Sequence, residues 1–387
     1  MDTVSLRVGL DIDQMAHESR SGLYYYCSHL AKALCCLKTS HKVSLFTSRA
    51  LGPGRMAELE REYSPLNPTL FKHPGWPYRL RMAFNPVSRL DAFFYLTSTA
   101  IPIMESRINA FLIPDLTTLH FPQCHTEATR RHWARYFDTV KRHGDVVVTF
   151  SEHTRHDVAD TLGLPLDRLR AVPLAAARQF RPLDRAEVAV GLKTIGLEPE
   201  RYILSVGTLE PRKNHLVLLQ AYHRLVNRGE HNGQPLVLAG PKGWNYEPIF
   251  EEIERLGLAS QVRHLGHFPR LDLLMNGASV MVYPSIFEGF GLPPLEAMAC
   301  GTPVITSNAS SLPEVVGDAG VMIDPHDVDG FAQAIAQVLN DQKKRTEMRD
   351  AGLKRAQQFS WEKTARLTLD ALTNAVDARR QGRKRCG

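Results

Sequence analysis

The sequence predicts an α/β protein with two Rossmann-like domains, and two observations support this fold class. Short apolar runs, typical of strands buried in a parallel sheet, alternate with segments of helical periodicity along both halves of the chain. The length of 387 residues fits two domains, and a composition of 43% hydrophobic and 23% charged residues is that of a globular protein. We predict domains over residues 1–183 and 184–360, followed by a crossover helix and basic tail over residues 361–387.

Composition excludes several classes of protein. No apolar run approaches the roughly 18 residues that a membrane-spanning helix needs, and the first residues lack the basic region of a signal peptide. The six cysteines show no Cys-x-x-Cys spacing, which is typical of a reduced, cytoplasmic protein. The net charge of +6 is mild, and no basic–aromatic recognition module is present, so we expect no nucleic-acid partner.

The first domain opens with a strand, a loop and a helix, the beginning of a doubly wound sheet. Gly22 starts that helix, where a glycine either caps the chain or lets it approach a bound phosphate. Ser151 is the predicted N-cap of a later helix, and another helix covers His125–His143. The predicted strands of this half are Leu6–Ile12, Val43–Thr47, Ala92–Tyr95, Asn109–Ile113, Asp145–Phe150 and Arg170–Pro173.

Two segments of the chain leave alternatives open. The stretch Leu51–Arg89 is rich in Pro, Arg and aromatics, and its Trp76–Phe84 part is either an amphipathic membrane segment or a surface insertion on the first domain. We favour the insertion. The basic tail Arg379–Arg385 is either disordered or a contact with an anionic membrane surface.

The second domain follows a predicted linker over Phe180–Pro182 and Gly191–Pro199. Its helices are expected over Val328–Asn340 and Lys343–Phe359, and a last helix opens at Ser360. The regular alternation of strands and helices predicts a second parallel sheet. Its predicted strands are Tyr202–Gly207, Leu236–Ala239, Val262–Leu265, Val280–Tyr283, Val304–Ile305 and Val321–Ile323.

The chain is organised around the glycine-rich loop Ser285–Gly291 and the helix that follows it. Prolines are tolerated in a first helical turn, so the helix is predicted to start near Leu292 and to end at Cys300 with Gly301 as its left-handed cap. The N–H groups at such a helix start suit a bound phosphate. Glu288 and Glu296 bracket the loop, and carboxylates accept hydrogen bonds from sugar and ribose hydroxyls.

A second cluster follows the strand that ends in Gly207. Arg212 and Lys213 are two adjacent cations beside a strand end, which suits the negative charge of a diphosphate. Alternatively, the two residues form a solvated helix start. Gly266 follows another predicted strand and begins a loop that we expect beside a purine base.

The loop and helix resemble the Glu-x7-Glu signature of family 4 retaining glycosyltransferases, which many members write Glu-Gly-Phe-Gly-Leu-Pro-x-x-Glu-Ala-Met-Ala-x-Gly-x-Pro-Val. The resemblance implies the GT-B fold, in which two Rossmann-like domains face each other across a cleft and the first is the acceptor side. It implies that Glu288 contacts the donor sugar and Glu296 the ribose. It also implies backbone contacts to the donor from Gly289, Phe290, Gly291 and Leu292.

The resemblance also shows departures from the family pattern. Pro114 stands where many relatives have a histidine that contacts the donor sugar, while Asp115 matches. Asp115 at the end of a strand could orient an acceptor hydroxyl or simply cap its own turn, and His120 is either a functional or an ordinary loop histidine. Thr208 replaces a common arginine. The Glu-Pro-Arg-Lys-Asn run ending at Asn214 recurs in a branch rich in mannosyltransferases.

The resemblance implies transfer of a hexose from a nucleotide sugar to an acceptor hydroxyl with retention at the anomeric carbon. Branch similarity favours mannose from GDP-mannose, and a lipid-linked oligosaccharide of bacterial polysaccharide synthesis as acceptor. We expect no cofactor and no metal, because cations and a helix N-terminus can stabilise a leaving diphosphate instead. We also expect a cytoplasmic location, with contact to the inner membrane face. The alternatives are a nucleotide-sugar epimerase of the same fold and a donor-binding subunit with impaired catalysis.

Overall fold

The structure, a computed structural model, describes residues 5–16, 22–46, 53–63, 69–71, 90–96 and 106–385. The chain divides into two compact units: unit 1 is drawn from residues 1–116, 127–174 and 360–387, and unit 2 from residues 117–126 and 175–359. The alternatives for Trp76–Phe84 concern residues outside the described ranges. Within those ranges, no helix is both long and apolar enough to cross a membrane.

Unit 1 contains a parallel sheet of seven described strands in the order β3-β2-β1-β4-β5-β6-β7. Its central strands are apolar on both faces, as expected where helices cover both sides of a sheet. Chain order reverses between β1 and β4, which is the switch point of a doubly wound fold. The strands are β1 (Arg7–Asp11), β2 (Lys42–Phe46), β3 (Thr69–Phe71), β4 (Ala92–Tyr95), β5 (Ile108–Leu112), β6 (Val146–Thr149) and β7 (Leu169–Ala171).

The described helices of unit 1 include one from each end of the chain. They are α1 (Gly22–Cys36), α2 (Pro53–Tyr63), α4 (Glu127–His143), α5 (Glu152–Leu162) and α14 (Trp361–Arg385). The Ser151 side chain accepts a hydrogen bond from Thr154 N, which confirms the predicted N-cap of α5. Trp361 stacks on His29 of α1 with ring centroids 4.9 Å apart. The C-terminal helix therefore completes unit 1.

The basic tail is helical through Arg385, so the first of its two alternatives, a disordered segment, is wrong. Arg379 pairs with Asp145 at 3.0 Å, and Arg380 lies 3.6 Å from Asp91. These two carboxylates lie at the amino ends of β6 and β4, where they hold the end of α14 against the sheet.

Unit 2 contains a six-stranded parallel sheet in the order β10-β9-β8-β11-β12-β13. The strands are β8 (Ile203–Val206), β9 (Leu236–Ala239), β10 (Val262–Gly266), β11 (Val280–Tyr283), β12 (Val304–Ser307) and β13 (Val321–Ile323). The helices are α3 (Thr117–His120), α6 (Arg185–Lys193), α7 (His215–Arg228), α8 (Glu247–Arg255), α9 (Leu271–Gly277), α10 (Leu292–Cys300), α11 (Leu312–Val316), α12 (Val328–Asn340) and α13 (Gln342–Ala356). The two sheets confirm the predicted α/β class.

The predicted linker segment Gly191–Pro199 is wrong at residues 191–193, which are helical. Residues Arg185–Lys193 form helix α6, and the Asp184 side chain accepts hydrogen bonds from the N–H groups of Ala186 and Glu187. The signal was an Asp N-cap before a short run of helix-forming residues. A second finding is that residues 117–126 belong to unit 2, since Phe121 lies against Phe287 with centroids 5.6 Å apart.

Candidate functional site

The candidate site lies at the carboxyl edge of the unit 2 sheet, where β8 and β9 end close together. Gly240 has a φ of 159°, and a Cβ at this position would lie 1.9 Å from the carbonyl oxygen of Gly207. Gly207 itself has a φ of 145° and lies under the aliphatic part of Lys213. Only glycine therefore allows these two loops to approach each other and leaves space beside the lysine.

The cations Arg212 and Lys213 lie in the short 3-10 turn Pro211–Lys213, directly after β8. Their side chains are only 15% and 11% exposed, so the interpretation as a solvated helix start is wrong. Asn214 follows in the left-handed conformation and donates hydrogen bonds to the carbonyls of Pro284 and Pro325. The turn is thereby tied to the end of β11.

Glu288 is the anion that these cations contact. Lys213 Nζ lies 2.6 Å from its Oε1 and Arg212 lies 2.9 Å from its Oε2. The hydroxyls of Tyr283 and Ser285 donate to the same Oε1 at 2.9 and 2.6 Å. Burial alone would raise the pKa of Glu288, but the charges of Arg212 and Lys213 outweigh it and lower the pKa to about 2. The carboxylate is therefore ionised at any physiological pH.

Burial also shifts the pKa values of two neighbours of Glu288, Lys213 and Tyr283. Burial lowers the pKa of Lys213, and the charge of Arg212 lowers it further, while Glu288 acts in the opposite direction. Burial raises the pKa of Tyr283 well above its usual value, and the adjacent Glu288 charge adds to this. The Tyr283 hydroxyl consequently keeps its proton and remains a hydrogen-bond donor.

Helix α10 begins and ends at the predicted residues. Gly291 is its N-cap with a φ of 106°, and a Cβ there would lie 2.7 Å from the side chain of Leu312. Gly301 closes the helix with a φ of 81°. However, Pro293 and Pro294 have no N–H, so among the first three residues of this helix Leu292 alone carries one. Fewer N–H groups are available to a phosphate than we expected.

Two serine side chains hold the backbone of the glycine-rich loop by hydrogen bonds. Glu288 N–H donates to Ser310 Oγ at 2.8 Å, and Ser311 Oγ donates to the carbonyls of Glu288 and Phe290. The Phe290 ring is buried edge-on to Phe359, with centroids 5.9 Å apart. Gly289 is also buried. The side chain of Phe290 therefore belongs to the core of unit 2.

Glu296 lies one turn into α10 and differs from Glu288 in its surroundings. Its partly exposed side chain has no hydrogen bond or ion pair to any residue that the structure describes. Burial raises the pKa of this carboxyl to about 8. A half-buried carboxyl without a protein partner can accept hydroxyl donors from a ligand.

Of the remaining predicted residues, His120 and Gly266 also lie in unit 2. The exposed His120 ring is 5.5 Å from the ring of Phe287, the residue before Glu288. Gly266 has a φ of 64°, and its carbonyl accepts the N–H of Gly240 at 2.8 Å. The structure thus brings both residues to the edge that carries Gly240 and Glu288.

Gly22 and Asp115 lie in unit 1. Gly22 is exposed at the start of α1, and a Cβ there would meet no atom within 4 Å, so sterics do not require glycine. Asp115 is partly buried and follows β5 after Pro114. Both residues follow parallel strands at the carboxyl edge of their own sheet.

Three residues of the site were not predicted. Glu210 is 2% exposed and accepts a 2.5 Å hydrogen bond from Arg212, while Tyr283 and Ser285 contact Glu288 as described above. The signal for Glu210 was a carboxylate two residues before an arginine. Tyr283 lies inside an apolar run, so the sequence indicated a core residue. Within the described ranges, no group of three or more His, Cys, Asp or Glu side chains could hold a metal ion.

Comparison with known proteins decides the family. The model of the family described as glycosyl transferases group 1 matches residues 193–355, which contain the whole unit 2 site. The chain is 38% identical over 259 residues to an O-antigen chain mannosyltransferase B of Escherichia coli, covering 66% of this chain and 68% of that protein. The chain is a group 1 glycosyltransferase. As a member of that family it is a hexosyltransferase of the mannosyltransferase-like branch, so the predicted family is confirmed.

A longer relative matches over part of its length. The serotype-specific mannosyltransferase WbdA of Escherichia coli is 34% identical over 244 residues, which are 61% of this chain and 30% of that protein. The chain therefore spans about a third of this relative.

Solved structures confirm the fold. HepE from Anabaena, solved in complex with UDP and glucose, aligns with a TM-score of 0.73 at 16% identity, covering 95% of this chain and all of that one. WaaG, a glycosyltransferase involved in lipopolysaccharide biosynthesis, aligns with a TM-score of 0.68 at 16% identity, covering 95% of this chain and 99% of that one. Each of the two units thus belongs to the GT-B architecture.

Proposed function

We propose that this glycosyltransferase moves a mannosyl group from GDP-mannose to an acceptor hydroxyl with retention at the anomeric carbon. The observation that carries this proposal is the pair of buried cations, Arg212 and Lys213, beside the glycine loop of Glu288. A nucleotide sugar leaves as a diphosphate, and two fixed cations in a partly desolvated site stabilise that charge. The choice of mannose rests on relatives that are themselves mannosyltransferases.

The position of each site residue suggests its role in binding the donor. Arg212, Lys213 and the Leu292 N–H would bind the diphosphate, while Glu296 would accept the ribose hydroxyls. In the reaction, the bond from the anomeric carbon to the diphosphate oxygen breaks and a bond to the acceptor oxygen forms. The acceptor proton passes to the diphosphate. No protein nucleophile is needed for this route.

Asp115 and His120 are proposed to serve the acceptor or the reacting centre. Asp115 has the position of a carboxyl-edge residue in unit 1, and Pro114 fixes its own φ and restricts the residue before it. His120 lies against Phe287 in unit 2. We propose a lipid-linked oligosaccharide as the acceptor, in keeping with the O-antigen relatives.

A lipid-linked acceptor implies contact with a membrane surface, and the charge of unit 1 supports such contact. Helix α4 exposes more cations than carboxylates: Arg130, Arg131, Arg135, Lys141 and Arg142 against Glu127 and Asp138. Exposed basic residues are attracted to anionic lipid headgroups by about 1 kcal/mol each. We therefore propose a cytoplasmic enzyme that binds the membrane peripherally through unit 1.

A donor panel tests the proposal. Purified protein would be incubated with GDP-mannose, other GDP- and UDP-sugars and a mannose-containing acceptor, and products would be identified by mass spectrometry. We expect mannosyl transfer from GDP-mannose with an α-linked product, shown by NMR. Epimerised nucleotide sugar without transfer would instead support the epimerase alternative, which the relatives do not favour. Nucleotide-sugar binding without turnover would support an impaired donor-binding subunit.

A further inference from the structure

The cations of the unit 2 site are already neutralised by the protein. Arg212 contacts Glu210 at 2.5 Å and Glu288 at 2.9 Å, and Lys213 contacts Glu288 at 2.6 Å. Glu210 and Glu288 are 2% and 8% exposed. Two cations and two carboxylates thus form one buried cluster with no net charge. Such pairing is expected, since a buried charge without a partner is costly.

The carboxylate of Glu288 is also saturated with hydrogen-bond donors. An ionised carboxylate offers about four acceptor positions. Lys213, Tyr283 and Ser285 donate to Oε1, and Arg212 faces Oε2. The acceptor capacity of this group is therefore largely used inside the protein.

We propose that Glu288 acts as an internal counter-anion that competes with the diphosphate of a nucleotide for Arg212 and Lys213. This inference rests on the proposed nucleotide-sugar site and adds its regulation. A diphosphate can gain the full attraction of both cations only if the Glu288 side chain yields part of its contacts. The backbone of Glu288 is fixed by Ser310 and Ser311, so the exchange is confined to its side chain.

Competition between Glu288 and the diphosphate for the two cations would help a transferase to release its product. A diphosphate product that meets two uncompensated buried cations would bind tightly and leave slowly. A carboxylate that returns to the cations as the product departs weakens that binding. Glu288 is a positioning residue in this sense, because it sets where the cations lie and how strongly they hold an anion.

The test is isothermal titration calorimetry of the full chain with GDP, UDP and the two nucleosides. Glu288→Gln keeps the shape and removes the charge. We expect this variant to bind its nucleoside diphosphate on the order of tenfold more tightly than wild type, the size of one charge-assisted hydrogen bond, while the matching nucleoside is bound unchanged. Glu347→Gln is the matched control, because it removes the charge of a 65% exposed glutamate that pairs with Lys343 outside the site, so affinity should stay within about threefold.

Nucleoside diphosphate affinity that is unchanged or weaker in folded Glu288→Gln would overturn the inference. If that variant does not fold, Glu288→Asp withdraws the carboxylate by one methylene, and it should bind the diphosphate more tightly than wild type; equal or weaker binding would again overturn it. If wild type binds neither GDP nor UDP, the proposed nucleotide site fails as well. If wild type binds GDP or UDP but Glu288→Gln binds it no more tightly, the counter-anion role is wrong and the nucleotide site is unaffected.

A pH series provides a second readout. Burial and Arg212 already lower the pKa of Lys213, while Glu288 and, to a smaller extent, Glu210 oppose this shift. Without Glu288, Lys213 should lose its proton at a lower pH than in wild type. The gain in diphosphate affinity of Glu288→Gln should therefore shrink at high pH, as Lys213 loses its proton. A gain that is independent of pH would contradict the role assigned to Lys213.

Discussion

Lys213 Nζ and Glu288 Oε1 lie 2.6 Å apart although 75 residues separate them in the sequence. The contact exists because β8 and β11 are neighbours in the unit 2 sheet, which places the turn after β8 beside the loop after β11. A cation proposed to bind the diphosphate and a carboxylate proposed to face the donor sugar are thus one ion pair. The two residues have to be tested together.

Replacement of the lysine should separate diphosphate from nucleoside binding. Lys213→Ala removes one charge-assisted hydrogen bond to a phosphate, worth about 1.5–3 kcal/mol, so GDP affinity should fall roughly 10- to 150-fold. Guanosine affinity should not change. Lys343→Ala, at an 86% exposed lysine paired only with Glu347, is the matched control. Equal losses for GDP and guanosine would show that Lys213 does not bind the diphosphate.

Nucleotide binding should release protons from Glu296. Its carboxyl has a pKa of about 8 and is therefore mostly protonated at pH 7. Two ribose hydroxyls donate best to the ionised form, so binding should lower this pKa. Calorimetry in buffers of different ionisation enthalpy should show proton release near pH 7 for wild type and less for Glu296→Gln. Unchanged nucleotide affinity in Glu296→Ala, which removes the acceptor altogether, would exclude the ribose role.

The same carboxyl should make stability depend on pH. Between its ordinary pKa of 4.5 and the raised value of about 8, the folded state binds more protons at Glu296 than the unfolded state. The contribution of Glu296 to the free energy of unfolding therefore falls as pH rises through this window and is level above it. Glu296→Gln does not titrate, so it should gain stability relative to wild type from pH 5 to pH 8 in urea titrations.

Gly240 should tolerate no side chain. Its Cβ would lie 1.9 Å from the carbonyl oxygen of Gly207, which is backbone and cannot rotate away. Gly240→Ala should therefore lower the free energy of unfolding by more than about 2 kcal/mol, which is the cost of severe overpacking. If the loop moves instead to make room, nucleotide binding should weaken. Gly229 caps α7 in the left-handed region with open space around it, so Gly229→Ala should cost only about 1 kcal/mol.

Asp115→Asn tests the acceptor side. The amide keeps the shape and most of the capping ability of the side chain but removes its charge. Turnover should fall at least tenfold with unchanged GDP affinity, and Pro114→His should be tolerated. Asp138→Asn, at an exposed position of α4, is the control. If Asp115→Asn turns over at the wild-type rate, Asp115 only caps its turn and His120 is the next residue to replace.

Membrane contact should depend on the charge of α4. Lys141→Glu with Arg142→Glu should reduce sedimentation with vesicles containing anionic phospholipid, and added salt should have the same effect because exposed charges are screened. Lys193→Glu with Lys343→Glu makes the same change in net charge on unit 2 and should have little effect. No binding of wild type at low salt would remove the membrane proposal.

The sequence was informative where structure depends on near neighbours. Helix α10 starts at Leu292 and ends at Cys300 as predicted, because two prolines and a cap glycine act within one turn of themselves. Helix α6 was missed because its signal is short and lies among linker-like residues. The sequence left the tail open between two alternatives, because its partners are carboxylates at the amino ends of distant strands, which Arg379 and Arg380 contact.

The sequence by itself determined the α/β class, the alternation of strands and helices, and the glycine loop with its two carboxylates. These follow from periodicity, glycine and proline, which act locally. The tertiary structure alone decided that Glu288 is ionised, saturated with donors and paired to Arg212 and Lys213, whereas Glu296 has a raised pKa and no described partner. Two glutamates eight residues apart differ in this way because burial and charge depend on which strands become neighbours, and strand order is set by packing over the whole sheet.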